Sequence, residues 1–500
     1  MHLLFRYWLV GFVGVLSGVC FGQETSESLR LVGDLNKTDL QTSGTASNPN
    51  NMAVLGDKLY FTADDGIHGY EVWEWDGTPK GFRMLKEIFP GPASIPSAAQ
   101  VSPPSTTGLF SSSGELILMA NSYTPRIYNS STDTFNPVSA TQKILVPRIY
   151  NTAHGRLISG VGFDADPAYV IGKLDSENKY QPFLLPTLRA HYRSYPLLQT
   201  ADGEAVMFIE SNATEMRLFR TNGADEGTIL LKSIPDGGFG RLSHPIGFTD
   251  KRSLYVFDQT LISTDGTPEN TRTLGGQTLA AFLSGGYFPS HLSDAFIFAK
   301  RGEVSGLGYD QVCLVDPLLT QVIPLISLSY QHTLNTVYYV HEIDGKYFMI
   351  ISAHKASGLY VSDGTVMGTV LLHPLKSDNV YSDPVIWGGR YYFCDSTPEK
   401  SDIWSSDGTE AGTVKIFETL PQAVPSTPII FHDMLVLGAH MDPNRGCELY
   451  ALAPQTSSIA GPRNTVQLLG VQSGASDSNL DGAVDSSDGH VIRFPFSGAK

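Results

Sequence analysis

Cysteine is scarce in this sequence of 500 residues, which contains four. Cys20 lies in the N-terminal segment described below, so three remain for the rest of the chain: Cys313, Cys394 and Cys447. An odd number of cysteines cannot form a complete disulfide framework, and no two of these have metal-ligand spacing. All three stand in apolar, strand-like sequence, which predicts small buried side chains rather than reactive thiols.

Long apolar segments are also missing. The apolar run at 7–16 is shorter than the ~20 residues that a membrane span needs. It follows Arg6, and small residues lead from it to Gly22, which is the pattern of a secretory signal peptide. We expect cleavage after Gly22 and a secreted or cell-surface bacterial protein with no remaining transmembrane span. An uncleaved anchor and lipidation at Cys20 are the alternatives.

Basic residues are outnumbered by acidic ones, 34 against 50, and the formal charge is -16. Removal of residues 1–22 takes away Arg6 and changes the charge to -17. Such acidity argues against nucleic-acid or anionic-membrane partners, because both carry negative charge. It suits hard cations and an extracellular surface.

Helical periodicity and the common catalytic motifs are absent as well. No long stretch keeps a 3.6-residue apolar period, and the sequence has no HExxH, GxSxG, P-loop or dinucleotide motif. Two carboxylates could still act on a glycosidic bond if the fold placed them ~5–9 Å apart. The acidic residues that could form such a pair are Asp57, Asp64, Asp65, Asp164 and Asp166. The turn of Asp64, Asp65 and Gly66, with His68, could instead hold a cation.

The sequence does contain a repeat. Residues 57–91 alternate strand-like segments with tight turns, and a turn of the form Asp-Gly-Thr recurs along the chain. Its first residues are Asp76, Asn222, Asp265, Asp363 and Asp407, separated by 146, 43, 98 and 44 residues. These spacings fit a period of about 46 residues, which is typical of propeller blades.

The repeat predicts an all-β fold, a β-propeller of about eight (seven to nine) four-stranded blades over residues 23–455. A β-solenoid and tandem sandwiches are the alternatives. Residues 29–35 look like the last strand of a repeat that has lost its earlier strands. We expect this N-terminal strand to complete the final blade, around residues 435–451, and to close the ring, since this would remove an exposed sheet edge.

The units resemble the bacterial ELWxxDGT repeat. Residues 68–78 (HGYEVWEWDGT) match its pattern closely, residues 359–369 and 403–413 match well, and Cys447-Glu448-Leu449-Tyr450 is an eroded copy. The resemblance implies a secreted or surface propeller and no settled activity. The turn itself has a structural explanation, because Asp accepts bonds from nearby amides and Gly tolerates positive φ. The aromatic residues at equivalent strand positions, expected in the core, are Trp73, Tyr360, Trp404 and Tyr450.

A separate motif occupies the C-terminus, residues 476–500, after a polar linker at 456–475. It resembles one calcium loop of a dockerin, a module that normally carries two and binds cohesins, so the resemblance implies a cohesin-like partner. Gly482 stands where such a loop turns sharply, and Asp rather than Glu stands at the last ligand position. The predicted calcium ligands are Asp477, Asn479, Asp481, Ala483 through its carbonyl, Asp485 and Asp488. A disordered Asp/Ser-rich tail is the alternative.

These observations favour a non-catalytic binding or scaffold protein that recognises an extracellular protein or polysaccharide and carries a calcium-binding tail. A propeller-type polysaccharide hydrolase or lyase is the alternative, and a structural surface-layer component is a third hypothesis. No cofactor other than calcium is indicated. The sequence leaves the ligand, the oligomeric state and any catalytic activity open.

We predict that residues 23–500 bind one calcium ion and that a chain ending at Val471 binds none, because the truncation removes every predicted oxygen ligand. Calorimetric titration with calcium chloride measures both. If both chains bind calcium alike, the ion lies in the propeller and the tail motif is not its site. If neither chain binds, the dockerin-like motif does not bind calcium.

Overall fold

A computed structural model describes residues between Leu29 and Ala453 of the chain. The described ranges are 29–36, 46–85, 88, 108–119, 124–139, 144–162, 169–182, 193–200, 203–211, 215–235, 244–257, 260–276, 290–304, 307–328, 334–353, 356–377, 382–397, 400–420 and 426–453. The predicted signal peptide, linker and calcium loop lie outside them.

All regular elements of the described residues are β-strands. The chain begins with β1 (Leu29–Gly33). The first four-stranded units along the chain are β2 (Asn50–Leu55), β3 (Lys58–Asp64), β4 (Tyr70–Trp75) and β5 (Phe82–Met84); β6 (Gly108–Ser112), β7 (Glu115–Met119), β8 (Pro125–Asn129) and β9 (Thr134–Pro137); β10 (Ile144–Thr152), β11 (Gly155–Gly162), β12 (Tyr169–Leu174) and β13 (Tyr180–Pro182); and β14 (Arg193–Gln199), β15 (Val206–Ser211), β16 (Glu215–Thr221) and β17 (Ile229–Pro235).

The second half of the chain continues the pattern. Its strands are β18 (His244–Phe248), β19 (Ser253–Phe257), β20 (Thr260–Thr264) and β21 (Arg272–Leu274); β22 (Ser290–His291), β23 (Phe296–Val304), β24 (Leu307–Val315) and β25 (Val322–Leu328); β26 (Leu334–Ile343), β27 (Lys346–Ala353), β28 (Gly358–Ser362) and β29 (Val370–Pro374); β30 (Val385–Trp387), β31 (Arg390–Ser396), β32 (Ser401–Ser406) and β33 (Val414–Glu418); and β34 (Ile429–Phe431), β35 (Met434–Asp442) and β36 (Gly446–Leu452).

The described strands fold into an all-β propeller of four-stranded antiparallel blades, as predicted. Hydrogen bonding gives six sheets of four strands, one of three and one of nine. Seven sheets therefore have at least the four strands of a blade, where the sequence predicted about eight, in a range of seven to nine. The strand β22 affects this count, because it pairs in parallel with both β18 and β26. It merges two four-stranded groups into the nine-stranded sheet and leaves β23–β25 with three strands.

Adjacent units pack face to face through shared apolar clusters. Phe348 and Leu359 of the β26–β29 unit, for example, lie in one cluster with Tyr391 and Phe393 of the β30–β33 unit. The last unit, β34–β36, packs in the same way against the first, since Phe431 shares a cluster with residues of β2–β4. Burial of these faces is the main stabilisation available to such small sheets, none of which could bury its own apolar face.

The N-terminal strand β1 pairs antiparallel with β36, the third strand of the last unit. Leu29 lies opposite Leu452, and Gly33 lies opposite Leu449. β1 is thus the outer strand of a sheet whose other three strands come from the far end of the chain.

The repeated Asp-Gly-Thr turns join the third strand of a unit to its fourth, and their polar groups bond within the turn. In the turn after β32, Oδ1 of Asp407 accepts bonds from the amide of Thr409 at 2.9 Å and from its hydroxyl at 2.7 Å. The Thr409 hydroxyl in turn accepts the amide of Gly412 at 2.9 Å. The bonds from Thr409 hold the pKa of Asp407 below its usual range. The turns that begin at Asp76, Asp265 and Asp363 repeat the bonds to the aspartate.

The fifth residue after the aspartate lies against the carboxylate of the turn, and it is glycine in the turns of Asp363 and Asp407. A Cβ atom added to Gly412 would lie 2.0 Å from Oδ1 of Asp407, and one added to Gly368 would meet Asp363 in the same way. Asn270 takes this place in the turn of Asp265, and its side-chain amide donates to Oδ2 of that aspartate at 2.8 Å. The position therefore leaves room for the carboxylate or supplies it with a bond.

The glycine of each turn also approaches the preceding unit. Gly408 has a φ of +83°, and a Cβ atom there would lie 3.0 Å from the ring of Phe348 in the β26–β29 unit. Gly77 approaches His432 of the last unit, and Gly223 approaches Thr152 of the β10–β13 unit. The recurring turn is therefore a contact between units as well as a link between strands.

We predict that Gly412→Ala lowers the free energy of unfolding by about 2 kcal/mol, because its methyl group displaces the Asp407 carboxylate from its amide bonds. Gly275→Ala is the matched control, because the nearest atom to its added Cβ is 4.0 Å away. That variant should be neutral or slightly stabilising. Urea denaturation followed by tryptophan fluorescence compares the two, and equal losses would contradict the structural role of the turn.

Candidate functional site

A group of charged and aromatic side chains lies where β29 meets the β30–β33 unit. We call it the His373 cluster. Its members are His373, Lys376, Asp395, Asp402, Trp404, Lys415 and Glu418.

Strand register brings the members of the β30–β33 unit to one face of their sheet. Asp395 on β31 lies directly opposite Asp402 on β32, and Glu418 on β33 lies on the other side of Asp402. Trp404, two residues along β32, lies opposite Lys415. Directly paired residues, and residues two apart on a strand, share a face. His373 and Lys376 cover this face from the neighbouring unit.

Asp395 is the buried centre of the cluster. Its Oδ2 lies 3.0 Å from Nε2 of His373, and its Oδ1 accepts the backbone amide of Lys376 at 2.8 Å. Burial acts to raise the pKa of this carboxyl, but the bonds from His373 and Lys376 outweigh burial and hold the pKa below its usual range. The carboxylate therefore stays charged and orients the imidazole.

Asp402 is buried beside it and is held by lysines. The ammonium of Lys376 donates to Oδ2 of Asp402, and Nζ of Lys415 lies 3.7 Å from the same oxygen. Lys415 also pairs with Glu418 at 2.9 Å, and Lys400 pairs with the second oxygen of Glu418. The bonds from Lys400 and Lys415 lower the pKa of Glu418 to about 2. Together with Lys400, the two lysines of the cluster match its three carboxylates in number, so these formal charges cancel.

The imidazole of His373 also contacts aromatic rings. Its centroid lies 4.1 Å from that of Trp404 and 5.7 Å from that of Phe393. Two polar atoms of this face, Oδ1 of Asp402 and Nε1 of Trp404, have no hydrogen-bond partner among the described residues. One is an acceptor and the other a donor on the same face of β32. A water molecule or a hydroxyl group, which donates and accepts, has the chemistry to satisfy both.

A second ion-pair network links the first unit to the β6–β9 unit. Oε1 of Glu74 accepts bonds from Lys58 and from Arg83, both at 2.8 Å. Arg83 extends to Asp133 of the next unit at 2.5 Å, and Asp133 accepts the hydroxyl of Tyr128 at 2.7 Å. The bond from Arg83 holds the pKa of Asp133 below its usual range. These groups bond one another across the boundary between units, so their role is structural.

Asp57 and Asp64, two of the residues that could contribute to a glycosidic carboxylate pair, lie far apart. Asp57 precedes β3 and Asp64 ends it, so the two stand at opposite ends of a seven-residue strand. That separates them by about 20 Å, well beyond the reach of either glycosidase geometry. Asp164 and Asp166 lie outside the described residues, as do the six predicted calcium ligands.

In the turn that contains Asp65 and His68, the carboxylate of Asp65 accepts hydrogen bonds from groups of the turn itself. Oδ1 of Asp65 accepts the amides of Ile67 and His68 at 2.9 and 2.8 Å, and its Oδ2 lies 2.7 Å from Nδ1 of His68. Asp64 accepts the amide of Gly66 at 2.7 Å. These contacts are those of a turn. Within the described ranges, no group of three or more His, Cys, Asp or Glu residues is placed to hold a metal ion.

The predicted core residues lie largely where expected. Trp73, Tyr360, Trp404 and Tyr450 each pack in an apolar cluster shared with the preceding unit. All three cysteines are free thiols: Cys313 and Cys394 are buried, whereas Cys447 is partly exposed. Burial raises the pKa of Cys313 to about 11 and that of Cys394 to about 12, so these thiols stay protonated. In the part of the chain that the structure describes, no helix could span a membrane.

Sequence reasoning missed the His373 cluster. Of its members it considered Trp404 alone, as a core residue. Asp402 stands where Glu71 stands in the best-matching repeat, five residues before the turn aspartate, and this acidic position is the one signal that could have drawn attention to it. The contact of His373 with Trp404 joins two units and cannot be inferred from either repeat alone.

Comparison with known proteins gives distant structural similarities and no family. No protein-family model matches the chain, and no curated protein matches it. BamB from Moraxella catarrhalis is similar at 11% identity and a TM-score of 0.40, over 85% of this chain and 100% of that one. The computationally designed protein Ika8 is similar at 10% identity and a TM-score of 0.40, over 82% and 98%.

Larger proteins also match over part of their length. A prolyl endopeptidase structure is similar at 11% identity and a TM-score of 0.40, over 79% of this chain and 55% of that one. This chain therefore spans about half the length of that enzyme. Because these likenesses are distant, the propeller assignment rests on the strand pairing and on the packing between units.

We predict that Asp395→Asn lowers the free energy of unfolding at pH 7 by about 2 kcal/mol, because it weakens bonds to a buried carboxylate. The folded pKa of Asp395 is depressed, so its contribution is complete above the ordinary value of 3.8 and disappears as the pH falls through the folded value. The difference from wild type should therefore shrink at pH 3.

Asp250→Asn is the control for this experiment, because Asp250 is exposed and pairs with His291 at 2.9 Å. An exposed pair contributes little, so this variant should change the free energy by less than about 1 kcal/mol. Urea denaturation at both pH values measures all three proteins. A loss in Asp395→Asn that does not depend on pH would contradict the electrostatic explanation.

Proposed function

We propose that this chain is an exported, non-catalytic binding or scaffold propeller of the ELWxxDGT repeat type, which recognises an extracellular protein or glycan. The signal-peptide pattern that ends at Gly22 supports export, and the recurrence of the motif supports the family. The dockerin-like loop at Asp477–Asp488 supports a calcium-binding tail and, through that resemblance, a cohesin-like partner. The single structural observation that carries a binding role is an exposed apolar strip on the β26–β29 unit.

The repeated residues themselves bond within the turn. In the turn after β28, Asp363 accepts two bonds from Thr365, and the hydroxyl of Thr365 accepts the amide of Gly368 at 3.0 Å. Since equivalent groups are used in the same way in several units, we assign the motif to the framework. Recognition then depends on positions where one unit departs from the others.

The apolar strip is such a departure. Its residues, Val366, Met367, Val370 and Leu371, are all exposed, and Met367 is 90% exposed. The other four turns carry mostly polar or charged residues where this turn has Val366 and Met367: Pro79 and Lys80, Asp225 and Glu226, Pro268 and Glu269, Glu410 and Ala411. The departure lies in Val366 and Met367, because Val370 and Leu371 have exposed apolar counterparts in Val414 and Leu230 of other units. The fold therefore does not require apolar side chains at positions 366 and 367. Exposed apolar patches on soluble proteins commonly mark interaction surfaces.

We further propose that the units form a closed ring. We infer that β1 closes this ring. Its pairing with β36 and the packing of the last unit on the first support the inference. A closed ring would hold the strip on a rigid framework, which lowers the entropy lost when a partner binds.

We predict that a photo-crosslinking amino acid at position 367 captures one discrete partner from the culture medium of cells that export the protein. The same amino acid at position 411, the equivalent site of the next turn, should capture none. Replacing Val366 and Val370 by Glu should abolish capture at 367, because a charge opposes burial of the strip. Mass spectrometry of the crosslinked band identifies the partner.

The enzymatic alternative is tested with the same protein. Soluble polysaccharides are incubated with it, and new reducing ends and native-gel mobility are both measured. Retardation without new reducing ends supports glycan binding, and release of products supports the hydrolase or lyase instead. Equal capture at positions 367 and 411, together with no retardation, would contradict the binding role of this face.

A further inference from the structure

The junction between the two ends of the described chain is built around one short segment. Residues 46–49 join the region of β1 to β2 and run between the last unit and the first. The amide of Asn48 donates to the carbonyl of Cys447 at 2.9 Å, and the carbonyl of Ser47 accepts the amide of Asp64, also at 2.9 Å. A Cβ atom added to Gly446 would lie 2.5 Å from Cβ of Ala46. The segment is therefore wedged between β36 and β3.

A buried carboxyl group holds this segment. Glu448 on β36 is fully buried, and its Oε1 accepts the amide of Ser47 at 2.9 Å. Its second oxygen bonds the hydroxyl of Ser47, which is itself buried. One side chain of the last unit therefore holds both donors of a residue that lies 401 positions earlier in the chain.

The first unit offers a matched comparison. Glu71 stands at the same motif position on β4, is equally buried, and accepts the amide of Ile88 at 3.0 Å from the segment that follows β5. Both glutamates thus bind the chain that leaves a unit. Glu448 differs because the segment it binds belongs to the opposite end of the chain.

The charged and titratable groups around Glu448 come from five strands, β1, β3, β4, β35 and β36, or from the chain next to them. Asp34 follows β1 and pairs with Arg445 at 2.8 Å, and Asp442 pairs with Arg445 from the same turn at 3.2 Å. The other described groups nearby are Tyr70 on β4, Asp64 at the end of β3, and Cys447 and Tyr450 on β36. Burial raises the pKa of Tyr70, Cys447 and Tyr450 to about 12, so none of them titrates near neutral pH.

His440 is the one imidazole on the strand that pairs with this part of β36. It lies opposite Cys447, whereas Ala439 lies opposite Glu448. Neighbouring residues of a strand point to opposite faces, so His440 faces away from the Glu448 carboxyl. It is nevertheless the group to separate experimentally from Glu448.

Burial raises the pKa of Glu448 from its ordinary 4.5 to about 7; the Ser47 bonds oppose this shift and the charge of Asp34 adds to it. We call the contact between the last and first units the seam. When the seam is open and Glu448 lies in water, its pKa has the ordinary value. At a pH between the two pKa values, Glu448 is protonated in the closed seam and ionised in the open seam. The free energy that holds the seam closed is therefore greatest at the acidic end of this window and falls as the pH rises towards 7.

We propose that Glu448 makes the seam between the last and first units a pH-sensitive latch, which holds β1 and residues 46–49 firmly when protonated and loosens them when ionised. The chemistry is that of a buried acid whose hydrogen-bond donors, the amide and hydroxyl of Ser47 and the amide of Leu35, lie on the chain that it retains. Acidic conditions, towards pH 5, would then favour the closed seam, and neutral to alkaline conditions would favour its opening.

Hydrogen–deuterium exchange of the β1 amides in the whole protein tests the latch. After correction for intrinsic exchange rates, wild type should open about twentyfold more readily at pH 7.5 than at pH 5.5. Glu448→Gln should remove this pH dependence, whereas Glu71→Gln and His440→Gln should keep it. Wild-type dependence retained in Glu448→Gln, or lost in His440→Gln, would overturn the proposal.

A second variant decides the matter if Glu448→Gln does not fold. Ser47→Ala removes a hydroxyl that stabilises the ionised carboxyl and leaves Glu448 in place. The latch predicts that opening then depends on pH more steeply than in wild type. A merely structural role for Ser47 predicts the same loosening at both pH values, and that result would also overturn the proposal.

Discussion

Everything in this molecule depends on the close approach of one small sheet to the next. A four-stranded unit has two apolar faces and no second layer of its own, so it is stable only between neighbours. The glycine of the Asp-Gly-Thr turn permits that approach at the rim. Where Gly408 meets Phe348, a side chain would hold the two units apart. The aspartate beside it fixes the turn, so that the glycine stays in the one conformation that fits.

The recurring Asp, Gly and Thr residues of the turns stabilise the framework, so they give little information about a ligand. Oδ1 of Asp407 and the hydroxyl of Thr409 bond each other and the backbone around them. What one unit does beyond the framework lies in residues that its neighbours lack. The apolar strip around Met367 and the His373 cluster are both of this kind, and both involve the β26–β29 unit.

How much of the fold and of the candidate site could be predicted from the sequence depends on how far apart the interacting residues lie along the chain. The turns, the strands and the aromatic positions at Trp73 and Tyr450 were predictable, because each depends on residues a few positions apart. The pairing of β22 with β18 and β26 was not, because a two-residue strand carries no periodicity to recognise. The bonds between Ser47 and Glu448 were equally out of reach, although β1 itself could be recognised as a strand without its unit. Contacts across hundreds of residues depend on the final arrangement of the units.

Asn270 shows how such an array can change without losing its fold. In its turn the usual glycine has been replaced, yet the new side chain donates a hydrogen bond to the carboxylate it would otherwise displace. The repeat therefore accommodates the carboxylate in two ways at this position. Glycine leaves space for it, and asparagine donates a hydrogen bond to it. A gene built by duplication can drift from one to the other in a single unit while every other unit stays unchanged. Sequence identity among the repeats can then decay faster than their geometry, and the copies that look most eroded need not be the least well folded.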